Sequence, residues 1–136
     1  MRDSMQLRIV TPARLMLDEP VREVTAPGSA GEFGVLPDHI TFLGLLEIGV
    51  LSYRTDGGQR QLAVRGGFAE VADNVVTLLV DDAAFPEDID LTAARHALRA
   101  ADTELQRLSL ADEGFPALDA RRRWAQAQID AASAGR

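Results

Sequence analysis

The chain has 136 residues, 46% hydrophobic and 26% charged, which fits one ordinary globular domain or a small domain with an appendage, and not wholesale disorder. With no cysteine, a disulfide framework, thiolate zinc sites and a cysteine nucleophile are excluded, and an intracellular, reducing location is expected. The net charge of −7 argues against nucleic acid, and the 14 basic residues are all arginine, which removes a P-loop lysine, Schiff-base lysines and a Ser-Lys dyad.

No apolar run approaches the ~18–20 residues of a membrane span, and the start "MRDSMQLRIV" lacks a signal-peptide core, so no direct membrane insertion is expected. Up to about residue 81 the period is that of strands. "MQLRIVTP" alternates through Leu7 and Ile9 until Pro12 stops it. "EPVREVTAPG" repeats the period, with Val21, Glu23 and Thr25 expected on one face and Arg22, Val24 and Ala26 on the other. In "LEIGVLSYRTDGGQRQLAVRGG" two runs flank Thr55-Asp56-Gly57-Gly58, and Asp-Gly predicts a type I′ hairpin turn. "GFAEVADNVVTLLVDD" carries a second turn at Ala72-Asp73-Asn74. Short, regularly punctuated strands imply an antiparallel β-sandwich or flattened barrel over residues 1–85.

The period changes at "AFPEDID". Asp88 or Asp90 can cap a helix, after which Leu91, Leu98 and Leu105 recur every seven residues, interleaved with Ala94, Ala101 and Leu108. Gly114 and Pro116 interrupt the pattern. A second helix follows, with Ala117, Trp124 and Ala131 at one seven-residue spacing and Ala120, Ala127 and Ala134 at another. That alanine seam is expected to meet the first helix closely, with Leu118, Ala125, Ile129 and Ala132 forming an adjoining stripe. Residues 86–136 therefore read as an antiparallel α-helical hairpin. A two-helix hairpin has little interior to bury, so it must lean on the sandwich or on another protein.

The chemically suggestive residues do not assemble into a catalytic site. Asp38-His39 are sequence neighbours that point in different directions, and no nucleophile accompanies them, so no catalytic residue is assigned. The glycines of "GSAGEFG" precede a strand, whereas a phosphate-cradling loop needs a helix N-terminus behind it. His96 has no second ligand at metal spacing, and no metal site is assigned. Arg121-Arg122-Arg123 is the densest charge cluster. It reads either as a solvated helix face or as an electrostatic contact for an acidic partner.

Four stretches together resemble the epsilon subunit of F-type ATP synthases (delta in mitochondrial naming): "MQLRIVTP", "GSAGEFGVLPDHITF", "VRGGFAEVADNVVTLLVDDA" and "EDIDLTAARHALRAAD". They lie in the family's order and span nearly the whole chain. The resemblance implies a non-catalytic rotor subunit in the central stalk, coupling proton or sodium flow through the membrane ring to ATP synthesis. The complex would lie peripherally on the cytoplasmic face of a bacterial plasma membrane. Glu32 matches the family's position contacting the polar loops of the c-ring, and His39, with Phe42 nearby, its contact to the gamma subunit. The hairpin would either fold on the sandwich or extend into the alpha/beta hexamer and brake ATP hydrolysis, with Arg121, Arg122 and Arg123 meeting acidic residues of the beta subunits.

Some bacterial members bind ATP through an Ile-Asp-x-x-Arg-Ala motif. Ile89 and Asp90 keep its start, but Ala93 stands where the motif has Arg, and Arg95 lies about 200° around the helix from that place. The resemblance therefore implies a degenerate ATP site and no cofactor. The segment "HITFLGLLEIGVLSYR" is more apolar than the family's usual one and implies a divergent branch. A free-standing nucleotide-sensing module of the same architecture is the alternative reading, separable by whether the chain co-purifies with gamma.

Overall fold

The structure, a computed structural model, describes residues 2–134, with the side chain of Ala134 outside that description. Its strands are β1 (Met5–Val10), β2 (Leu15–Val21), β3 (Glu23–Gly28), β4 (Gly31–Val35), β5 (Phe42–Thr55), β6 (Gly58–Ala72), β7 (Val75–Val80) and β8 (Ala83–Ala84). A 3-10 turn at Pro86–Asp88 then leads into α1 (Leu91–Leu105) and α2 (Phe115–Ala134). The strand order is β2-β1-β7-β6-β5-β3-β4, with β8 added to β6. Every pairing is antiparallel except β1 with β7, which is parallel.

β1 alternates as its sequence predicts, with Met5, Leu7 and Ile9 buried and Arg8 exposed. The run 19–28 is not one strand. A bend at Arg22 separates β2, which pairs with β1, from β3, which pairs with β4 and β5. The bend resets the phase, so Val21 faces the core together with Val24 and Ala26 instead of sharing a face with Glu23 and Thr25. Pro20 is tolerated because β2 is an edge strand, where a missing N–H costs no ladder bond.

The long β5–β6 hairpin closes the sandwich by serving both layers. Along β6 the core-facing residues are Leu62 and Val64, then Ala69 and Val71, so the inward phase shifts between them. The shift falls at Gly66 (φ 66) and Gly67 (φ 131), where L side chains are strained. A Cβ on Gly67 would also overlap the Leu79 carbonyl oxygen. The "RGGF" string is thus a corner, and the two layers share a single core of Leu7, Ile9, Leu51, Leu62 and Leu78 with the surrounding valines.

The type I′ turn expected at Asp56-Gly57 does not form there; the positive φ falls on Gly58 (122°). Thr55 accounts for this, since its hydroxyl accepts from the Gly57 N–H (3.1 Å) and donates to the Gly58 carbonyl (3.3 Å). Asp56 instead accepts from Arg22 Nε at 2.7 Å, and that bond holds its carboxyl below the usual carboxylate range. The I′ signature appears at the second turn, where Asp73 and Asn74 both have positive φ (52° and 61°).

Of the two cap candidates, Asp90 is the N-cap of α1, its Oδ1 accepting from the Ala93 N–H at 3.0 Å. The predicted leucine seam is only partly interior: Ala94 and Ala101 are buried, Leu91, Leu98 and Leu105 half-buried, and Leu108 lies past the helix end. The assignment of α2's faces is reversed. Ala127 and Ala131 pack on Ala63 of β6 beside Ile48 and Val50, while Leu118 and Ala125 share a cleft with Ala101 of α1. α2 packs against both α1 and the sheet, and its alanine seam lies on the apolar outer face formed by Ile48, Val50 and Ala63.

Candidate interaction surface

The segment 31–42 is organised by one turn. His39 N–H donates to the Leu36 carbonyl (3.1 Å), Pro37 takes the second position, and Asp38 the third with φ 65, as in a type II turn. Asn74 fixes its height: the Asn74 Oδ1 accepts from the Asp38 N–H (2.8 Å) while its Nδ2 donates to the Ser4 carbonyl (2.8 Å). The Asp38 carboxylate accepts from the Arg2 backbone N–H at 2.7 Å and does not engage His39. His39 Nδ1 lies 2.7 Å from the Ile40 carbonyl oxygen, an acceptor only, so this nitrogen carries the proton. No general-base pair exists here.

Two of the three positions expected to make contacts come together. His39 sits edge-on to Phe42 with centroids 6.2 Å apart, and Phe42 packs against Phe33 at 5.2 Å. Phe33 and Phe42 both rest on the core, so Phe42 is an anchor as much as a surface. Glu32 precedes Phe33 on the edge strand β4 and points the other way, exposed, opposite Pro27. Phe33 is thus the unforeseen link between the acidic position and the His39 turn.

Strand register reveals a larger feature. Leu15, Val10, Leu79, Phe68 and Leu45 are successive cross-strand partners, running over β2, β1, β7, β6 and β5. Four of the five are exposed large hydrophobics, Phe68 at 52%. The next row on this face is Asp18, Arg8, Thr77, Glu70 and Leu43, largely polar, with Arg8 and Asp18 paired at 3.6 Å. Leu36 (57%) and Ile40 (79%) add exposed apolar area on the turn. A continuous apolar row with a polar border is the anatomy of a protein contact.

The other predicted positions, Arg121 apart, make contacts within the fold. Asp90 is engaged as the helix cap, and Ile89 packs against the cluster of Ala63, Ala127 and Ala131. Arg122 pairs with Asp119 one turn earlier at 2.8 Å, and Arg123 reaches Glu47 of β5 at 3.0 Å. Arg121 has no carboxylate within pairing distance among the described residues. It borders a cleft of about 300 Å³ between the helices, lined mainly by Ala97, Ala101, Leu118 and Trp124 with Arg65 opposite. His96 is exposed, and among the described residues no three metal-ligating side chains cluster.

Fold and surface together define a class: a β-sandwich with an exposed apolar row on one face and a two-helix hairpin packed on the outer side of β5 and β6. The comparisons narrow it. The family model for the ATP synthase delta/epsilon chain β-sandwich domain matches residues 4–86. The ATP synthase epsilon chain of Nitratidesulfovibrio vulgaris (strain DP4) is 50% identical over 108 residues, 79% of this chain and 81% of that one. The epsilon chain of Geotalea daltonii is 42% identical over 120 residues, 88% and 87% of the two chains. Among solved structures, a chain of the Euglena gracilis mitochondrial ATP synthase superposes with a TM-score of 0.82 at 28% identity, covering 98% of this chain and 83% of its own. A chain from the Tetrahymena thermophila central stalk and c-ring shares the fold (TM-score 0.63, 19% identity, 94% and 96% coverage). The chain belongs to the ATP synthase delta/epsilon family, as a non-catalytic subunit of that complex.

Proposed function

We propose that the sandwich grips the gamma subunit and the polar loops of the c-ring, and that the hairpin regulates ATP hydrolysis by the alpha/beta hexamer. The exposed five-strand apolar row carries this reading, because a subunit that transmits torque needs a stiff, wide and specific contact. Phe68 and Leu45 form the dry centre against gamma, His39 registers the same partner, and Glu32 on the edge strand addresses the ring. The hairpin, folded on the sandwich here, extends to present Arg121, Arg122 and Arg123 to acidic residues of the beta subunits. The complex works at the cytoplasmic face of a bacterial membrane; among the described residues no helix is long and apolar enough to cross it.

Nucleotide is not part of this reading. Asp90 is committed to the Ala93 N–H, and Ala93 offers no cation where relatives with the ATP motif have arginine. The deciding experiment is co-purification with gamma. Phe68→Glu should reduce recovery at least ten-fold while leaving the thermal midpoint within about 2 °C, since an exposed substitution changes folding little. Full retention of gamma by a folded Phe68→Glu protein would overturn the assignment. Saturable ATP binding at millimolar concentration would instead favour the nucleotide-sensing alternative.

A further inference from the structure

We propose that Glu47 is an internal decoy for the hairpin's basic cluster: by pairing with Arg123 it both latches the folded hairpin and withholds that arginine from acidic partners. The proposal rests on the reading that the hairpin moves. Glu47 lies on β5 and Arg123 on α2, 76 residues apart, with Nη2 3.0 Å from Oε2. Few other bonds tie helix to sheet. Gln61 Nε2 donates to the Ala131 carbonyl (2.9 Å), and the apolar contact beneath is built from Ala63, Ala127 and Ala131 with flanking Ile48, Val50 and Trp124. Alanines bring backbones close but remove little apolar surface from water, so even a weak ion pair shifts the balance between docked and undocked α2.

The three arginines are therefore not equivalent. Arg122 pairs with Asp119 on its own helix, and that bond travels with the helix whether docked or free. Arg121 has no carboxylate partner among the described residues in the docked form. Only Arg123 changes partner when the hairpin leaves, exchanging Glu47 for solvent or for an acidic surface. Both members of the pair are about 40% exposed (39% and 41%), so the latch is weak, as a reversible one must be. A carboxylate presented by another subunit competes for the same guanidinium, which makes release and capture one event.

The chain has no cysteine, so two can be introduced cleanly. Spin labels at Gln59→Cys, exposed at the start of β6 and outside the apolar row and its border, and Ser133→Cys, exposed on α2, report docked and undocked hairpins as two distances by pulsed EPR on the full-length chain. Glu47→Gln and Arg123→Gln should each raise the undocked-to-docked ratio about two- to five-fold, and the charge-exchanged double variant Glu47→Arg with Arg123→Glu should return it within two-fold of the parent. In the assembled ATPase, Glu47→Gln should deepen inhibition of hydrolysis by a similar factor, whereas Arg123→Gln should not. A ratio unmoved by Glu47→Gln, with both distances present, overturns the latch and leaves the moving hairpin intact. One short distance in every variant, in the free chain and in the complex, overturns the moving hairpin itself.

Discussion

The sandwich and the hairpin bury different things. The sandwich encloses Leu7, Ile9, Leu51, Leu62 and Leu78 completely, in one cluster shared by both layers. The interior of the hairpin is mostly alanine, with Ala94, Ala101, Ala125, Ala127, Ala131 and Ala132 buried and Leu118 the one larger side chain among them. A buried leucine contributes about 2 kcal/mol and an alanine methyl well under half of that. The first region is held by what it excludes from water; the second is held by fit and by a few polar ties. A module of the second kind is expected to come away without unfolding the first, and this is the property the proposed brake requires.

The chain carries its own reporters for this contrast. Its only tryptophan, Trp124, borders the α2–sheet cluster, and its only tyrosine, Tyr53, is in the sandwich core. In urea, Trp124 emission should shift before the far-UV signal of the sheet collapses; coincident transitions would break the comparison. The largest effect of a single substitution is expected at the corner. Gly67→Ala combines left-handed strain with overpacking against the Leu79 carbonyl, each ~1–3 kcal/mol, so about 4 kcal/mol should be lost from the sheet transition. Leu62→Ala follows at about 2–5 kcal/mol, also confined to the sheet transition. Asp90→Ala should cost about 1 kcal/mol and move only the Trp124 transition, because it removes the cap of α1.

The smallest effect is alkaline. Burial, with Glu19 adding, raises the Tyr53 phenol above its ordinary value, so the native state keeps it neutral longer than the unfolded chain does. Its contribution is therefore complete below the unfolded value of about 10 and is lost as pH climbs through the folded one. Tyr53→Phe should flatten that alkaline decline in the sheet's urea midpoint while leaving neutral stability nearly unchanged. A decline equally steep in the variant would assign it to other groups.

Much of the architecture was legible because it is local. Period two in "MQLRIV", the switch at Pro86 and the seven-residue spacings each depend on neighbours within a few positions. The errors came where a distant partner decided the outcome. Val21 faces inward because β2 pairs with β1 and not with β3, and the alanines of α2 meet Ala63 and Val50, which lie far off in sequence. The site was less legible still. Glu32 and His39 were singled out as contacts only through a resemblance, whereas Leu15, Val10, Leu79, Phe68 and Leu45 form a row only once four pairings are in register. Nothing in the linear text joins Glu47 to Arg123, because an ion pair 76 residues apart leaves no periodic trace.

The clamp made by Asn74 has a consequence for how the protein is made. Its side chain shapes the turn at Asp38 while holding the strand that begins near Ser4, and that strand pairs in parallel with residues 75–79. The turn's own bond from His39 to Leu36 is local, but its clamp cannot form when residue 42 leaves the ribosome. It must wait until β7 has been synthesised and β1 has found it, a closure over some 70 residues and among the slower steps available to this fold. Until then a nascent chain lacks both the clamped turn and the complete apolar row, which runs through Leu79 of β7. The order of synthesis thus makes this surface one of the last parts of the sandwich to form.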